Sequence, residues 1–137
     1  MAEELHLLFA EDDDEDWMLL EEAVGHCSGV RWHRVLDGEA LLEYLQTAGP
    51  LPHMIMLDLR MPRRDGFWAL EQIRKDPLLR HIPVTIMTTS KTETDIIKSY
   101  AIGANAYMIK PPSFEDMADL LAKAYAFWTQ VARIPGV

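Results

Sequence analysis

The sequence predicts an α/β fold in which a parallel sheet is covered by helices on both faces. Short apolar runs alternate with longer amphipathic stretches five times along the chain, which is the pattern of repeated βα units. The run Met54-Ile-Met-Leu57 is apolar without alternation, as is typical of a parallel strand buried on both sides. The chain has 137 residues, 49% of them hydrophobic, so it is long enough to bury one core.

Each predicted strand is followed by a helix whose ends carry sequence signals. We predict strands at residues 5–10, 30–35, 54–58, 84–88 and 106–109, and helices at 14–27, 38–47, 67–75, 92–102 and 113–133. Asp65-Gly66 begins the third helix, Pro77 ends it, and Gly103 follows the fourth. Thr92 and Ser113 are candidate N-caps of the last two helices.

The sequence indicates one structural unit. No internal repeat, low-complexity segment or linker interrupts it, so we expect a single domain over residues 1–137, with residues 128–137 extending the last helix. The net charge of −9 argues against nucleic-acid binding, which depends on Lys and Arg neutralising phosphates. Cys27 is the only cysteine, and no apolar segment is long enough for a signal peptide or a membrane span. We therefore expect a cytoplasmic protein without a membrane partner.

Four of the predicted strands end in charged or hydroxyl-bearing residues. These are Glu11-Asp12-Asp13, Asp58, Thr88 and Lys110, and in a doubly wound sheet they would meet at the edge where ligands bind. Two carboxylates about 4 Å apart repel by roughly 4 kcal/mol at an effective dielectric of about 20, so several of them need a cation. Mg²⁺ prefers such oxygen ligands. A carboxylate placed there can act as a nucleophile and form an aspartyl phosphate, with the lysine balancing its charge.

Five short motifs occur in one order and at characteristic distances. They are Glu11-Asp12, Leu57-Asp58-Leu-Arg-Met-Pro62, Asp65-Gly66, Thr88 and Lys110-Pro111. Thr88 lies 30 residues and Lys110 lies 52 residues after Asp58. Together the motifs resemble the phosphoacceptor site of bacterial response-regulator receiver domains, and the resemblance covers nearly the whole chain. It implies a single receiver domain with a flavodoxin-like, doubly wound (βα)5 fold and a five-stranded parallel sheet in the order 2-1-3-4-5.

The resemblance also implies a role for each residue at this edge. Asp58 would be the phosphoacceptor, and Thr88 and Lys110 would contact the phosphoryl oxygens. The implied Mg²⁺ ligands are Asp12 directly, Glu11 largely through water, Asp58, and the backbone carbonyl of Arg60. We interpret the remaining acidic run, Asp13-Asp14-Glu15-Asp16, as a solvated helix start that suits the helix dipole, and not as further metal ligands.

Tyr107 lies three residues before the lysine and matches the family's switch aromatic, which changes rotamer when Thr88 moves toward the phosphate. The resemblance further implies a cis Lys110–Pro111 bond, otherwise a minority state. Two features depart from the family pattern: Pro112 follows Pro111, where a single proline is usual, and Arg60 brings a long cation near the site. The arginine would alter the lifetime of the phosphoryl group in a direction that the sequence does not reveal.

The implied function is that of a two-component response regulator, which takes a phosphoryl group from the phosphohistidine of a sensor kinase and is not a conventional turnover enzyme. Two alternatives remain open, a receiver-like adaptor that needs no phosphorylation and a haloacid-dehalogenase-type phosphatase. The phosphatase family has a second aspartate where this chain has Arg60. A narrower resemblance, to regulators paired with bacterial and cyanobacterial phytochromes, is carried by Leu36-Asp37-Gly38-Glu39-Ala40, Thr88-Thr89-Ser90, Lys98-Ser-Tyr-Ala101 and the end from Phe127-Trp128 to Ile134-Pro135.

The last predicted helix is apolar over about half its circumference. A helix that covers a sheet needs an apolar stripe only roughly 100° wide, so a second stripe indicates another contact. We expect a homodimer built on this helix and the tail, as the phytochrome resemblance also implies. Its interface would contain Leu120, Ala124, Phe127, Trp128 and Val131. The alternative is a helix buried more deeply within its own domain.

Overall fold

The computed structural model describes residues 4–47 and 49–136, and in these residues five parallel strands form one sheet in the order β2-β1-β3-β4-β5. The elements in chain order are β1 Leu5–Ala10, α1 Asp14–Gly25, β2 Val30–Val35, α2 Gly38–Thr47, β3 Met54–Leu57, α3 Gly66–Lys75, β4 Val84–Thr88, α4 Glu93–Ile102, β5 Ala106–Ile109 and α5 Phe114–Ala126, followed by a π-helical segment Phe127–Val131. The predicted fold class and strand order are confirmed.

The helices begin where short polar side chains cap them. The side chains of Asp13, Asp65, Thr92 and Ser113 each accept a hydrogen bond from the backbone N–H three residues further on, which satisfies a donor that the first turn leaves free. The two predicted caps, Thr92 and Ser113, are therefore confirmed.

The sheet separates two apolar cores. Leu8 and Ala10 of β1 face the core under α2 and α3, whereas Leu7 and Phe9 face the core under α1 and α5. All six residues of β1 are buried, as expected for a central parallel strand. The two buried central strands, β1 and β3, thus position the acidic residues that follow them.

The chain end returns to the domain after α5. The predicted helix to residue 133 is too long, because the α-helix ends at Ala126 and the π-helical segment ends at Val131. Ile134 is then buried in the core under α1 and α5. The Tyr125 hydroxyl donates to the Ser28 carbonyl at 2.5 Å, which ties α5 to the loop after α1. Among the described residues, no helix combines the length and apolar character needed to cross a membrane.

Candidate functional site

The parallel ladder brings the predicted site residues to one edge of the sheet. The backbone N–H of Asp58 donates to the Ala10 carbonyl at 3.1 Å, so the first residue after β3 lies beside the end of β1. The backbone N–H of Lys110 donates to the Thr88 carbonyl at 2.8 Å, which aligns the ends of β5 and β4 in the same way. Glu11 directly follows β1. The edge therefore collects residues from four strands.

Lys110 is the centre of the charge network. Its ammonium lies 2.8 Å from Asp58 Oδ2 and 2.7 Å from Asp16 Oδ2, and it also contacts Glu11 Oε1. The lysine side chain is only 4% exposed. Burial alone would lower its pKa, but the hydrogen bonds to Asp16, Asp58 and Glu11 outweigh this and raise the pKa of Lys110. The lysine is therefore protonated at neutral pH and lies beside the Asp58 carboxylate.

Three carboxylates form an oxygen-rich cluster next to this lysine. One carboxylate oxygen from each of Glu11, Asp12 and Asp58 lies within 4.8 Å of the others. Glu11 and Asp58 are buried, whereas Asp12 is exposed. Burial, together with the charge of Asp58, raises the pKa of Glu11 to about 7 even though Lys110 opposes the shift. A hard divalent cation fits this arrangement, because it prefers carboxylate oxygens and relieves their repulsion.

The hydroxyl and the aromatic residue predicted to act as a switch both contact Ser90. Thr88 is fully buried, and its Oγ1 accepts from the Ser90 backbone N–H at 3.4 Å. The Tyr107 hydroxyl donates to the Ser90 carbonyl at 2.9 Å. We refer to Thr88 and Tyr107, the two residues predicted to act as a switch, as the switch side chains. One residue of the loop after β4 therefore connects the two.

Two side-chain contacts of the site were not predicted from the sequence, and one predicted backbone feature is wrong. Asp16 was interpreted as solvated, but it is half-buried and binds Lys110, because the first turn of α1 presents it to the sheet edge. Arg60 extends to α4, where its guanidinium lies 2.6 Å from Asp95 Oδ2. The implied cis Lys110–Pro111 bond is wrong for this structure, because residues 4–47 and 49–136 contain no cis peptide bond.

The predicted dimer residues divide into two groups. Leu120 and Trp128 are half-buried and pack against the core under α1 and α5. Phe127 and Val131 are 48% and 72% exposed, and Ala124 is half-buried between the groups. The apolar surface available to a partner is therefore smaller than the sequence predicts, and Phe127 and Val131 contribute most of its exposed side chains.

Two features define the class of protein. The strands have the order 2-1-3-4-5, and a buried aspartate contacts a lysine beside two further acidic residues. This combination is that of the phosphoacceptor domains of two-component signalling. A hydroxyl on the neighbouring strand and an aromatic residue linked to it complete the features of that class. The chain belongs to the response regulator receiver domain family, whose sequence model matches residues 7–122.

Relatives of known name cover nearly the whole chain. It is 37% identical over 137 positions to the probable methanogenesis regulatory protein FilR2 of Methanothrix harundinacea, covering 95% of this chain and 87% of that protein. It is 32% identical over 136 positions to the response regulator Rcp1 of Synechocystis, covering 94% of this chain and 92% of Rcp1.

Solved structures agree with the fold throughout. The phosphorylated cyanobacterial phytochrome response regulator RcpA superposes with a TM-score of 0.91 at 30% identity, covering 97% of this chain and 99% of RcpA. The Mn²⁺-bound form of Rcp1 gives a TM-score of 0.87 at 31% identity, covering 96% and 99%. The chain is thus a two-component response regulator receiver domain, and one solved relative, Rcp1, is described in a Mn²⁺-bound form.

Proposed function

We propose that Asp58 accepts a phosphoryl group from the phosphohistidine of a sensor kinase in a Mg²⁺-dependent reaction. The observation that carries this proposal is the 2.8 Å contact between Lys110 Nζ and Asp58 Oδ2 inside a buried cluster of carboxylates. A lysine and a divalent ion on either side of one carboxylate can neutralise the phosphoryl group that this carboxylate receives.

The chemistry assigns a step to each side chain. A carboxylate oxygen of Asp58 attacks phosphorus, the P–N bond breaks, and the imidazole of the kinase leaves with the electron pair. Lys110 and the Thr88 hydroxyl then contact the phosphoryl oxygens. The proposed ligands of Mg²⁺ are Asp12 directly, Glu11 through water, Asp58 and the Arg60 backbone carbonyl. When bound, this ion would neutralise charge on the transferring group.

Incubation with acetyl phosphate and Mg²⁺ tests this function. Intact-protein mass spectrometry should show the addition of one phosphoryl group, and replacing Mg²⁺ by excess EDTA should prevent it. A protein that remains unmodified under these conditions, but still binds its kinase, would be a phosphorylation-independent adaptor. The Asp58 carboxylate therefore distinguishes the two functions directly.

Replacing Lys110 with methionine should leave phosphorylation possible but uncouple it from the conformational change. The variant removes the cation that contacts Asp58, Asp16 and Glu11, while Mg²⁺ can still support the transfer. We expect modification by acetyl phosphate to persist, and the phosphorylation-dependent change in hydrogen exchange of the loop after β4 to disappear.

The matched control for this experiment is Lys123→Met. Lys123 forms a surface ion pair with Asp119 within α5, and such pairs contribute little. This control should respond to phosphorylation as the wild type does. A Lys110→Met protein that still shows the full exchange response would contradict the proposed role of the lysine.

The proposed partner is a histidine kinase of the phytochrome type in the cytoplasm. The structural similarity to RcpA, which is described as a phytochrome response regulator, supports this proposal. FilR2 is described as a probable methanogenesis regulatory protein, so relatives of similar identity are named for different processes. The test compares phosphotransfer from a purified phytochrome kinase with phosphotransfer from an unrelated histidine kinase. The phytochrome kinase should phosphorylate the protein much faster than the unrelated kinase does.

We also propose that α5 and the π-helical segment form a homodimer interface. Phe127 and Val131 supply its exposed apolar side chains. The double variant Phe127→Ser, Val131→Ser should weaken the dimer and raise its dissociation constant at least about tenfold. It removes two apolar side chains that the dimer would bury. Equilibrium sedimentation at tens of micromolar, with and without phosphorylation, measures this shift.

The control for the dimer prediction is Leu78→Ser. Leu78 is also a highly exposed apolar residue, but it follows α3, at a distance along the chain from α5. This variant should sediment as the wild type does. A wild-type protein that is monomeric in both phosphorylation states would exclude the dimer.

A further inference from the structure

A polar network connects the loop after β3 to the start of α4. The Arg60 guanidinium and the Ser90 hydroxyl each lie 2.6 Å from the same oxygen, Asp95 Oδ2. The Asp95 backbone N–H is in turn capped by the Thr92 side chain. The hydrogen bond from Ser90 and the charge of Arg60 hold the pKa of Asp95 below its usual value. Asp95 is a buried residue, and its charged carboxylate connects the loop after β3 to the loop after β4.

This network continues into the phosphoacceptor site through Ser90. The Ser90 hydroxyl binds Asp95, its backbone N–H donates to Thr88 Oγ1, and its carbonyl accepts from the Tyr107 hydroxyl. Both switch side chains thus bind the one residue that Asp95 holds in place. Any movement of Thr88 toward Asp58 that carries Ser90, and Asp95 with it, must also stretch the Arg60–Asp95 ion pair.

We propose that the Arg60–Asp95 ion pair is a latch that restrains Ser90, and with it the two switch side chains, until the phosphoacceptor is modified. The side chains of Arg60 and Asp95 are positioning groups in this proposal, because they act through Ser90 and not on the reacting atoms. The backbone carbonyl of Arg60, a proposed Mg²⁺ ligand, is present in every variant at this position. The inference rests on the proposed function, since the rearrangement it restrains accompanies phosphorylation of Asp58. It also assigns a direction to the effect of Arg60: the latch slows the approach to the phosphorylated state.

The opposite charges of the pair distinguish a latch from electrostatic steering. Acetyl phosphate is an anion, so steering would make the neutral variant Arg60→Met slower and the neutral variant Asp95→Asn faster. A latch is opened by removing either partner, so both variants should be faster. Asparagine can still accept the hydrogen bond from the Ser90 hydroxyl, so the Asp95→Asn variant removes the charge and retains that contact.

The test measures the rate of modification by acetyl phosphate in Mg²⁺. We expect Arg60→Met and Asp95→Asn each to raise the rate about two- to fivefold, the range that an ion pair with one exposed partner supports. The double variant should be no faster than the faster single variant, because one interaction has been removed in each case. Arg60→Lys retains the positive charge and should therefore raise the rate less than Arg60→Met does. Opposite signs, unchanged rates or additive effects would overturn the latch.

Hydrogen exchange in the unphosphorylated protein provides a second readout. Both single variants should raise exchange over residues 88–95 and leave β1 and β3 unchanged. The control is Arg63→Met. Arg63 lies in the same loop as Arg60, but its ion-pair partner at 3.7 Å is Asp37 and not a residue of α4. This variant should change neither the rate of modification nor the hydrogen exchange. If the wild type is not phosphorylated, the proposed function fails, and exchange alone then decides whether the restraint exists. No increase over residues 88–95 would rule it out.

Discussion

Replacing Asp58 with asparagine should abolish phosphorylation by acetyl phosphate and by a phosphorylated kinase. The amide has nearly the shape of the carboxylate but is not a nucleophile, so the expected loss is at least about a thousandfold, the scale seen when a covalent nucleophile is removed. Lys110 keeps its contacts with Glu11 and Asp16, so the site should remain assembled. A phosphate-affinity gel and the intact mass measure the modification.

The same variant should fold at least as well as the wild type. It removes one of three carboxylates that lie within 4.8 Å of one another, and like charges at such distances repel. The control Asp116→Asn makes the same chemical change at an exposed position in α5 and should be phosphorylated normally. Stoichiometric phosphorylation of the Asp58→Asn protein would show that another residue is the acceptor.

Much of this site follows from sequence because the backbone determines it. A parallel strand ends where its apolar run ends, so Asp58, Thr88 and Lys110 are predicted to meet at one edge as soon as the strand ends and the strand order are known. The structure places them there. Glu11 and Asp12 follow from the same reasoning, since β1 lies beside β3 in the sheet.

The contacts that sequence does not predict depend on side-chain direction. Whether Asp16 faces solvent or Lys110 depends on the rotation of α1 about its axis, which follows from the face that α1 packs against the core. Arg60 has a long flexible side chain that can reach several acids, and only the position of α4 makes Asp95 its partner. The end of α5 is a third example, because apolar spacing alone does not distinguish an α-helix from the π-helical segment.

The second large effect is expected from a glycine that brings α3 against the phosphoacceptor. A Cβ at Gly66 would lie 2.2 Å from the Asp58 carbonyl oxygen and 2.8 Å from Leu59 Cα. The Gly66 N–H also donates to the Leu59 carbonyl at 3.0 Å. These neighbours are backbone atoms, so α3 must move away from β3. We expect Gly66→Ala to lower the free energy of unfolding by about 2–4 kcal/mol, measured by urea denaturation.

The control is Gly25→Ala at the end of α1, where an added Cβ meets nothing within 4 Å. Alanine is favoured over glycine in a helix, so this variant should be unchanged or more stable by up to about 1 kcal/mol. A Gly66→Ala protein within about 0.5 kcal/mol of the wild type would show that α3 can shift freely. Because the clashing atoms include the backbone carbonyl of Asp58, the folded fraction of Gly66→Ala should also be phosphorylated more slowly, whereas Gly25→Ala should keep the wild-type rate.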